Sequence, residues 1–294
     1  MTTTTIEPTT QTLESPGATI TYDFQPNESS TEPVLFLIGS PMGAAGFASL
    51  ASHFTDRALA TYDPRGAERS TKADPTSPST PEDHAEDLHR VIQALGAGPV
   101  DLFATSGGAV NALALVTKHP EDVRILVAHE PPLGSILPDR ENALAAVRVV
   151  HETYLRSGWG AGMAHFMAVT NHRGQFPDDW ASQPAPDPAT FGMPAEDDGT
   201  RTDVMLGQTI IGTTHYEPDF EALRRASTRI IPAAGAESEG EMANRGAFAV
   251  AERLGTAPVI FPSHHGGFLG GEYGWAGEPD AFAAKLREVL EGAA

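Results

Sequence analysis

The chain has 294 residues, a formal net charge of −20 and no cysteine, and 40% of its residues are hydrophobic. The acidic balance argues against nucleic-acid or membrane binding, because both partners are negatively charged, and the lack of cysteine excludes disulfides, thiolate nucleophiles and cysteine metal sites. With neither a signal peptide nor an apolar run of roughly 20 residues, we expect a cytoplasmic protein of one large domain, or of one domain with an insertion.

The first half of the chain alternates between strand and helix patterns. Residues 1–12 are Thr-rich and without periodicity, and we expect them to be flexible. Residues 18–24 alternate as a half-buried antiparallel strand does. Further strands are predicted at 34–38, 58–62, 99–104 and 123–128, and helices at 44–55, 81–95 and 107–118. This alternation predicts an α/β fold with a doubly wound, mostly parallel sheet.

The alternation stops after residue 132. Helical stretches are predicted at 140–156, 160–169 and 205–213, with a Pro/Asp-rich loop at 176–199 among them. Strands return at 228–233 and 258–261, with helices at 240–254 and 280–290. We therefore predict a core of residues 13–132 and 227–294, and a helical lid of residues 133–226 over the carboxyl edge of the sheet.

Ser106 is the strongest candidate nucleophile. It lies in Ala104-Thr-Ser-Gly-Gly108, between a predicted strand and a predicted helix. A serine hydroxyl reacts only where a sharp turn exposes it and a base activates it. The small neighbours allow the strand and helix backbones to approach closely. Taken alone, the motif also fits a serine that merely caps the helix, and Ala104 stands where Gly is the common residue.

Three further segments accompany this motif. Ile38-Gly-Ser-Pro-Met-Gly43 and Asp63-Pro-Arg-Gly-Ala-Glu-Arg-Ser70 each follow an early strand, and Pro262-Ser-His-His-Gly-Gly-Phe268 follows the last strand. With the Ser106 motif they resemble the α/β-hydrolase superfamily from about Val34 to the C-terminus, the predicted lid excepted. Ile38 departs from the His that the family usually has. The resemblance implies an α/β-hydrolase fold with a lid insertion.

The resemblance also implies roles for individual residues. In this family the backbone N–H groups of Ser40 and Gly107 would form the oxyanion hole. The catalytic histidine lies in the loop after the last strand, where the Gly-rich context favours His265 over its neighbour His264. The segment that begins at Asp63 has a structural role.

The orienting acid has two candidate positions in this superfamily. The earlier strand offers Glu130, at its carboxyl end, and the later strand offers Glu237 or Glu239. Glu130 is preferred because prolines fix the chain after it, because Ser238 stands where most members carry Asp, and because His129-Glu-Pro-Pro resembles a stretch of the zearalenone-type lactone hydrolases. A helix-capping or ion-paired Glu130 is the alternative. The order Ser106, Glu130, His265 matches the nucleophile–acid–base order of the fold.

The predicted lid is rich in aromatic and Met side chains, which suit a small hydrophobic acyl substrate, an ester or a lactone. Core packing is the alternative for each of them. The candidate substrate contacts are Met42, His129, Trp159, Phe166, Met193 and Phe268. We expect no cofactor and no metal, since His84 and His89 are not at ligand spacing, and the sequence leaves open whether the chain forms a homodimer.

Rival functions remain on the same fold. A carbon–carbon bond hydrolase, a thioesterase, or a cofactor-free haloperoxidase with perhydrolase activity would use the same serine chemistry. A non-catalytic ligand-binding member would need a broken triad, whereas Ser106, Glu130 and His265 are all in place. Serine as the nucleophile argues against dehalogenases and epoxide hydrolases, which use Asp.

Overall fold

A mostly parallel sheet forms the centre of the molecule. The computed structural model describes residues 8–292, and in this range the strands are β1 (Thr9–Ser15), β2 (Ala18–Gln25), β3 (Leu35–Ile38), β4 (Leu59–Tyr62), β5 (Thr71–Lys72), β6 (Val100–Thr105), β7 (Val123–His129), β8 (Arg229–Gly235) and β9 (Val259–Phe261). Their order is β1-β2-β4-β3-β6-β7-β8-β9, and β5 pairs with β2. Along this order, all neighbouring strands from β4 to β9 are parallel. Strand β2 runs antiparallel to both of its neighbours, β1 and β4. The predicted α/β fold with a mostly parallel sheet is confirmed.

Helices cover both faces of this sheet. In the described range they are α1 (Ala48–Ala51), α2 (Pro81–Leu95), α3 (Gly107–Lys118), α4 (Arg140–Asn171), α5 (Ile210–His215), α6 (Phe220–Arg225), α7 (Met242–Leu254) and α8 (Pro279–Leu290). Strand β3 shows the layering: Phe36 and Ile38 pack in one core with α2 and α3, and Leu35 and Leu37 pack in the other with α1 and α8. Successive side chains of a strand point to opposite faces, so the apolar run of β3 is buried on both.

Helix α2 begins and ends where the sequence predicts. Thr80 accepts a hydrogen bond from the backbone N–H of Asp83, whose carboxylate accepts one from the Thr80 N–H, so the two form a capping box ahead of Pro81. Gly96 ends the helix with φ 64°, a left-handed conformation that glycine adopts without steric cost. A buried ion pair between Arg65 and Asp87 then ties the turn after β4 to α2.

The predicted flexible segment at residues 1–12 is wrong in its second part. Residues 9–15 form β1, which pairs with β2 along its whole length. Most side chains of β1 are exposed, so backbone hydrogen bonds form this edge strand without an apolar pattern that the sequence could display. Residues 1–7 lie outside the described part of the chain.

The segment between β7 and β8 is helical. Within α4 the two predicted helical stretches are separated at Gly158, whose φ of 86° and ψ of −177° are not helical. The segment has a hydrophobic cluster of its own, which includes Val147, Tyr154 and Leu206. However, Phe220 and Leu223 of α6 pack into the core beside the sheet, so the last helix before β8 belongs to the core layer. No helix within residues 8–292 has the length and apolar character that a membrane crossing requires.

Candidate active site

Ser106 occupies the turn between β6 and α3. Its φ of 56° and ψ of −129° are unusual for a residue with a side chain. The two glycines after it are required by close packing: a Cβ on Gly107 would lie 2.7 Å from the carbonyl oxygen of Ser40, and one on Gly108 would lie 2.8 Å from the Cα of Gly39. The small residues of the motif therefore hold the loop after β3 directly against the start of α3.

The loop after β3 is positioned by Asp63. The carboxylate of Asp63 accepts a hydrogen bond of 2.8 Å from the backbone N–H of Ala44, and a Cβ on Gly43 would clash with it. Ser40 is 7% exposed and lies on the same cavity as Ser106 and Gly107. The structural role predicted for the segment that begins at Asp63 thus includes holding the loop that carries Ser40.

Glu130 is fully buried and contacts His265. Its Oε2 lies 2.6 Å from Nδ1 of His265, and its Oε1 accepts hydrogen bonds from the backbone N–H of Gly235 at 2.8 Å, from the hydroxyl of Ser238 and from Nδ2 of Asn244 at 3.2 Å. Burial by itself would raise the pKa of the Glu130 carboxyl, but the hydrogen bond and charge of His265, with the Ser238 hydroxyl, hold it well below its usual range. The carboxylate is therefore ionised, fixed in place and directed at His265.

The imidazole of His265 lies between this carboxylate and the cavity. Burial acts to lower the pKa of His265, but the hydrogen bond and charge of Glu130, with a contribution from Glu241, raise it above its ordinary value. Its side chain is 33% exposed and, like Ser106, it lines the cavity. A ring that is held by a carboxylate at one nitrogen can exchange a proton at the other.

The competing residues have other contacts. Nε2 of His264 lies 3.2 Å from the carbonyl oxygen of Ala276, and its Nδ1 accepts from the N–H of Gly266 at 3.0 Å, so both ring nitrogens organise the loop. The exposed Glu237 lies 3.4 Å from the hydroxyl of Ser263, and Glu239 is exposed. The contact with His265 is made by Glu130.

His129 is fully buried and lies behind His265, so its predicted contact with substrate is wrong. Its ring stacks on that of His265 with centroids 6.0 Å apart, and Phe103, Phe261 and Phe282 pack around it. Burial lowers the pKa of His129 to about 4, so its ring is neutral. The sequence placed it beside Glu130 but did not show that β7 turns its side chain into the aromatic core.

The cavity above Ser106 has two lobes. The first lobe, of about 390 Å³, is lined by residues of α4, α5 and the start of α7, and the second, of about 560 Å³, by the loops after β3, β4 and β9 together with α4. The residues common to both lobes are Ser40, Pro41, Ser106, Met205, His265 and Trp275. Ser106 and His265 therefore lie at the junction of two binding spaces, both mostly apolar.

Four of the predicted substrate contacts line this cavity. Phe166 lies in the first lobe, and Met42, Trp159 and Phe268 lie in the second. Phe268 is 3% exposed and belongs mainly to the core. Met193 is not among the lining residues of either lobe; it follows a 3₁₀ helix (Pro188–Phe191), and its backbone N–H donates a 3.0 Å hydrogen bond to the carbonyl oxygen of Pro188.

The polar residues of the first lobe could not be recognised in the sequence. Three hydroxyls, Thr209, Thr213 and Thr214, line it together with Glu241. The carboxylate of Glu241 lies 3.1 Å from Arg173, and burial raises its pKa. These residues come from three separate elements, and no motif joins them.

The comparisons with known proteins agree with this architecture. A family model described as alpha/beta hydrolase fold matches residues 32–158. The uncharacterized hydrolase YraK of Bacillus subtilis (strain 168) is 30% identical over 263 residues, which cover 87% of this chain and 89% of that protein.

Solved structures show the same fold. A thermophilic esterase from Thermogutta terrifontis aligns with a TM-score of 0.64 and 19% identity over 97% of this chain and 98% of that one. The enol-lactonase from Burkholderia xenovorans LB400 aligns with a TM-score of 0.61 and 16% identity over 96% of this chain and 100% of that one. The family model, the relative and the parallel sheet agree with one another: the chain belongs to the alpha/beta hydrolase family and is a hydrolase.

Proposed function

We propose that this hydrolase cleaves a carboxylic ester or lactone of a small hydrophobic molecule, with Ser106 as nucleophile, His265 as base and Glu130 as orienting acid. The observation that carries the proposal is the 2.6 Å contact between Glu130 and His265 on the cavity that Ser106 also lines. Esterases and an enol-lactonase among the structural neighbours support the substrate class.

The first step forms an acyl-enzyme. His265 accepts the proton of the Ser106 hydroxyl at Nε2, and Oγ attacks the carbonyl carbon of the substrate. The backbone N–H groups of Ser40 and Gly107 donate to the oxyanion. The carboxylate of Glu130 stabilises the imidazolium, which then gives its proton to the leaving alcohol.

The second step releases the acid. Water enters, His265 takes one of its protons, and the resulting hydroxide attacks the acyl carbon bound to Ser106. The tetrahedral intermediate collapses, the proton passes from His265 to Oγ, and the carboxylic acid leaves. With a lactone as substrate, acid and alcohol are the two ends of one product.

The two lobes suit the two halves of an ester. The segment 133–226, whose helices line the first lobe, acts in this proposal as a lid that keeps water away from the reacting carbonyl. The mostly apolar lining favours hydrophobic groups on both sides of the bond. We propose that the lid consists of residues 133–226 without α6, because α6 packs with the core.

The test is a panel of substrates. We expect p-nitrophenyl esters of short and medium acyl chains, or aryl and enol lactones, to be hydrolysed with kcat/KM of about 10⁴ M⁻¹s⁻¹ or more. A β-diketone and a peroxide-dependent chlorination assay are included, and Ser106→Ala is the control preparation. Faster turnover of the diketone, or chlorination without ester hydrolysis, would assign the site to carbon–carbon bond hydrolysis or haloperoxidase chemistry.

The proposal also predicts how activity depends on pH. Protonated His265 cannot accept the serine proton, so kcat/KM falls as the pH drops through the pKa of His265. Since Glu130 and Glu241 raise that pKa, the midpoint lies above the ordinary histidine value of about 6.5. A pH profile of kcat/KM with a p-nitrophenyl ester measures it.

Two variants of the same loop separate this effect from a general change of surface charge. Glu241→Gln removes a carboxylate whose charge raises the pKa of His265, so the acid limb of the kcat/KM profile should move to lower pH. Glu239→Gln removes an exposed carboxylate nearby and leaves the limb in place. An acid limb that lies below the ordinary histidine value, or that moves equally in both variants, contradicts the assignment of His265.

A further inference from the structure

Two histidines and a buried carboxylate meet at the edge of the sheet opposite to Ser106. His89 lies on α2, His119 follows the end of α3, and Asp122 comes directly before β7. Ser106 follows the carboxyl end of β6, which runs parallel to β7, so the two sites lie at opposite ends of these strands. The cluster is therefore independent of the proposed hydrolysis.

The three side chains are close enough to share an ion. One ligand atom from each of His89, His119 and Asp122 lies within 4.8 Å of the other two. The imidazole rings stack with centroids 3.9 Å apart and an angle of 13° between their planes, and Nδ1 of His89 lies 2.6 Å from Oδ2 of Asp122. Helix α2 and the connection from α3 to β7 meet at this cluster.

The charge balance of the cluster favours a cation. Asp122 is 2% exposed, and its carboxylate contacts His89 and, at 2.8 Å, Nε2 of Gln93, neither of which has a fixed positive charge. A buried carboxylate is stabilised by a partner of opposite charge, and a metal ion held by the two imidazoles would supply that charge.

Further carboxylates surround His119. Glu86 lies 3.2 Å from its Nε2 and Glu121 lies 3.8 Å from its Nδ1, so they add negative charge beside the rings. Lys118 balances one of these charges, because its Nζ lies 2.6 Å from Glu86. The remaining negative charge lies on Asp122 and Glu121, beside two imidazoles.

We propose that His89, His119 and Asp122 bind a divalent transition-metal ion, with Zn²⁺ as the best fit. Two imidazole nitrogens and a carboxylate oxygen suit Zn²⁺ rather than Ca²⁺ or Mg²⁺, which prefer oxygen ligands. Water, Glu86 or Glu121 completes a four-coordinate site. The ion joins α2 to the connection between α3 and β7.

Binding requires a small movement of the rings. Stacked imidazoles direct their lone pairs side by side, whereas ligand bonds of about 2.0–2.1 Å must converge on one point. The side chains of His89 and His119 are 26% and 21% exposed, so both can turn about their side-chain torsions toward the solvent-facing side of Asp122. This site could not be recognised in the sequence, because the two histidines are far apart along the chain.

The experiment is a titration of the full chain with ZnCl₂ by calorimetry, together with Co²⁺ absorption as a spectroscopic signature of the ligand set. We expect one site whose Kd rises at least about tenfold in His119→Gln and in Asp122→Asn, since each removes a ligand. At a hundredfold excess over Kd, Zn²⁺ should raise the Tm of the unaltered chain by about 5 °C, and this rise should vanish in both variants.

His53→Gln is the matched control. His53 also faces a carboxylate, with Nε2 3.2 Å from Asp280, but this pair is not part of the three-residue cluster. Unchanged Zn²⁺ affinity in His53→Gln and weakened affinity in the cluster variants support the proposal. Equal affinity in all variants, or no binding to the unaltered chain, overturns it. Asp122→Asn keeps the side-chain shape, and His119→Gln, at the surface, provides the result if Asp122→Asn fails to fold.

Discussion

We expect Ser106→Ala to lower kcat for ester hydrolysis by about four to six orders of magnitude, because the acyl-enzyme of the proposed mechanism cannot form. In the proposed mechanism, what remains is the stabilisation of the oxyanion by Ser40 and Gly107 and the binding of the substrate, neither of which depends on the serine hydroxyl. The fold should be retained, since Ala keeps the small size that the packing around Gly107 and Gly108 requires. Stopped-flow and steady-state assays with a p-nitrophenyl ester measure the loss of kcat.

Ser52→Ala is the control for this variant. Ser52 is exposed at the end of α1, and its hydroxyl donates to the carbonyl of Ser49. We expect wild-type kcat and wild-type labelling by a fluorophosphonate in this control, and no labelling in Ser106→Ala. Mass spectrometry should place the adduct on Ser106. Retained turnover in Ser106→Ala, with the protein folded by circular dichroism, rejects the nucleophile.

The sequence was most informative where packing leaves little choice of residue. Ser106 could be singled out because a sharp turn between strand and helix admits only small neighbours, and the structure shows the contacts of Gly107 and Gly108 that impose this. The predicted bounds of helix α2 agree with the structure, in which a capping box and a terminal glycine, both local features, define its two ends. Such features are encoded within a few consecutive residues.

Features that depend on distant contacts could not be predicted in the same way. The side chain of His129 enters an aromatic core made by β6, β9 and α8, and neighbouring residues do not reveal this. Glu241 reaches the first lobe because α7 begins beside it. Strand β1 is formed by its backbone hydrogen bonds with β2 and has no apolar pattern of its own.

The choice of the acid combines both kinds of information. The sequence favoured Glu130 because prolines follow it and because Ser238 replaces the usual Asp on the later strand. The structure adds that the hydroxyl of Ser238 donates to Glu130, so the two alternative positions of the acid meet in space. The carboxylate that contacts His265 belongs to the earlier strand. Ser238, where most members of the family carry Asp, donates a hydrogen bond to it.

Glu130→Gln tests this arrangement and should lower kcat by about two to four orders of magnitude. The amide is the same size, but it can present an N–H to His265 and so favour the wrong tautomer of the ring. Glu237→Gln and Glu239→Gln, on the later loop, should keep near-wild-type kcat because His265 contacts neither in the structure. A loss in Glu237→Gln as large as that in Glu130→Gln would assign the acid to the later strand.

A reciprocal exchange, Glu130→Ser with Ser238→Asp, tests whether the site accepts the acid from either strand. Ser238 is fully buried beside Glu130 and Asn244, so an Asp at 238 extends toward the position that the Glu130 carboxylate now occupies. The total charge is unchanged, and the N–H of Gly235 remains available as a donor. We expect the double variant to exceed Glu130→Ser alone in kcat by at least about tenfold, because the new carboxylate can orient His265. Equal kcat in the two proteins, both folded, would mean that His265 is oriented only from β7, and that the exchange of acid and serine between the strands is not a functional substitution in this chain.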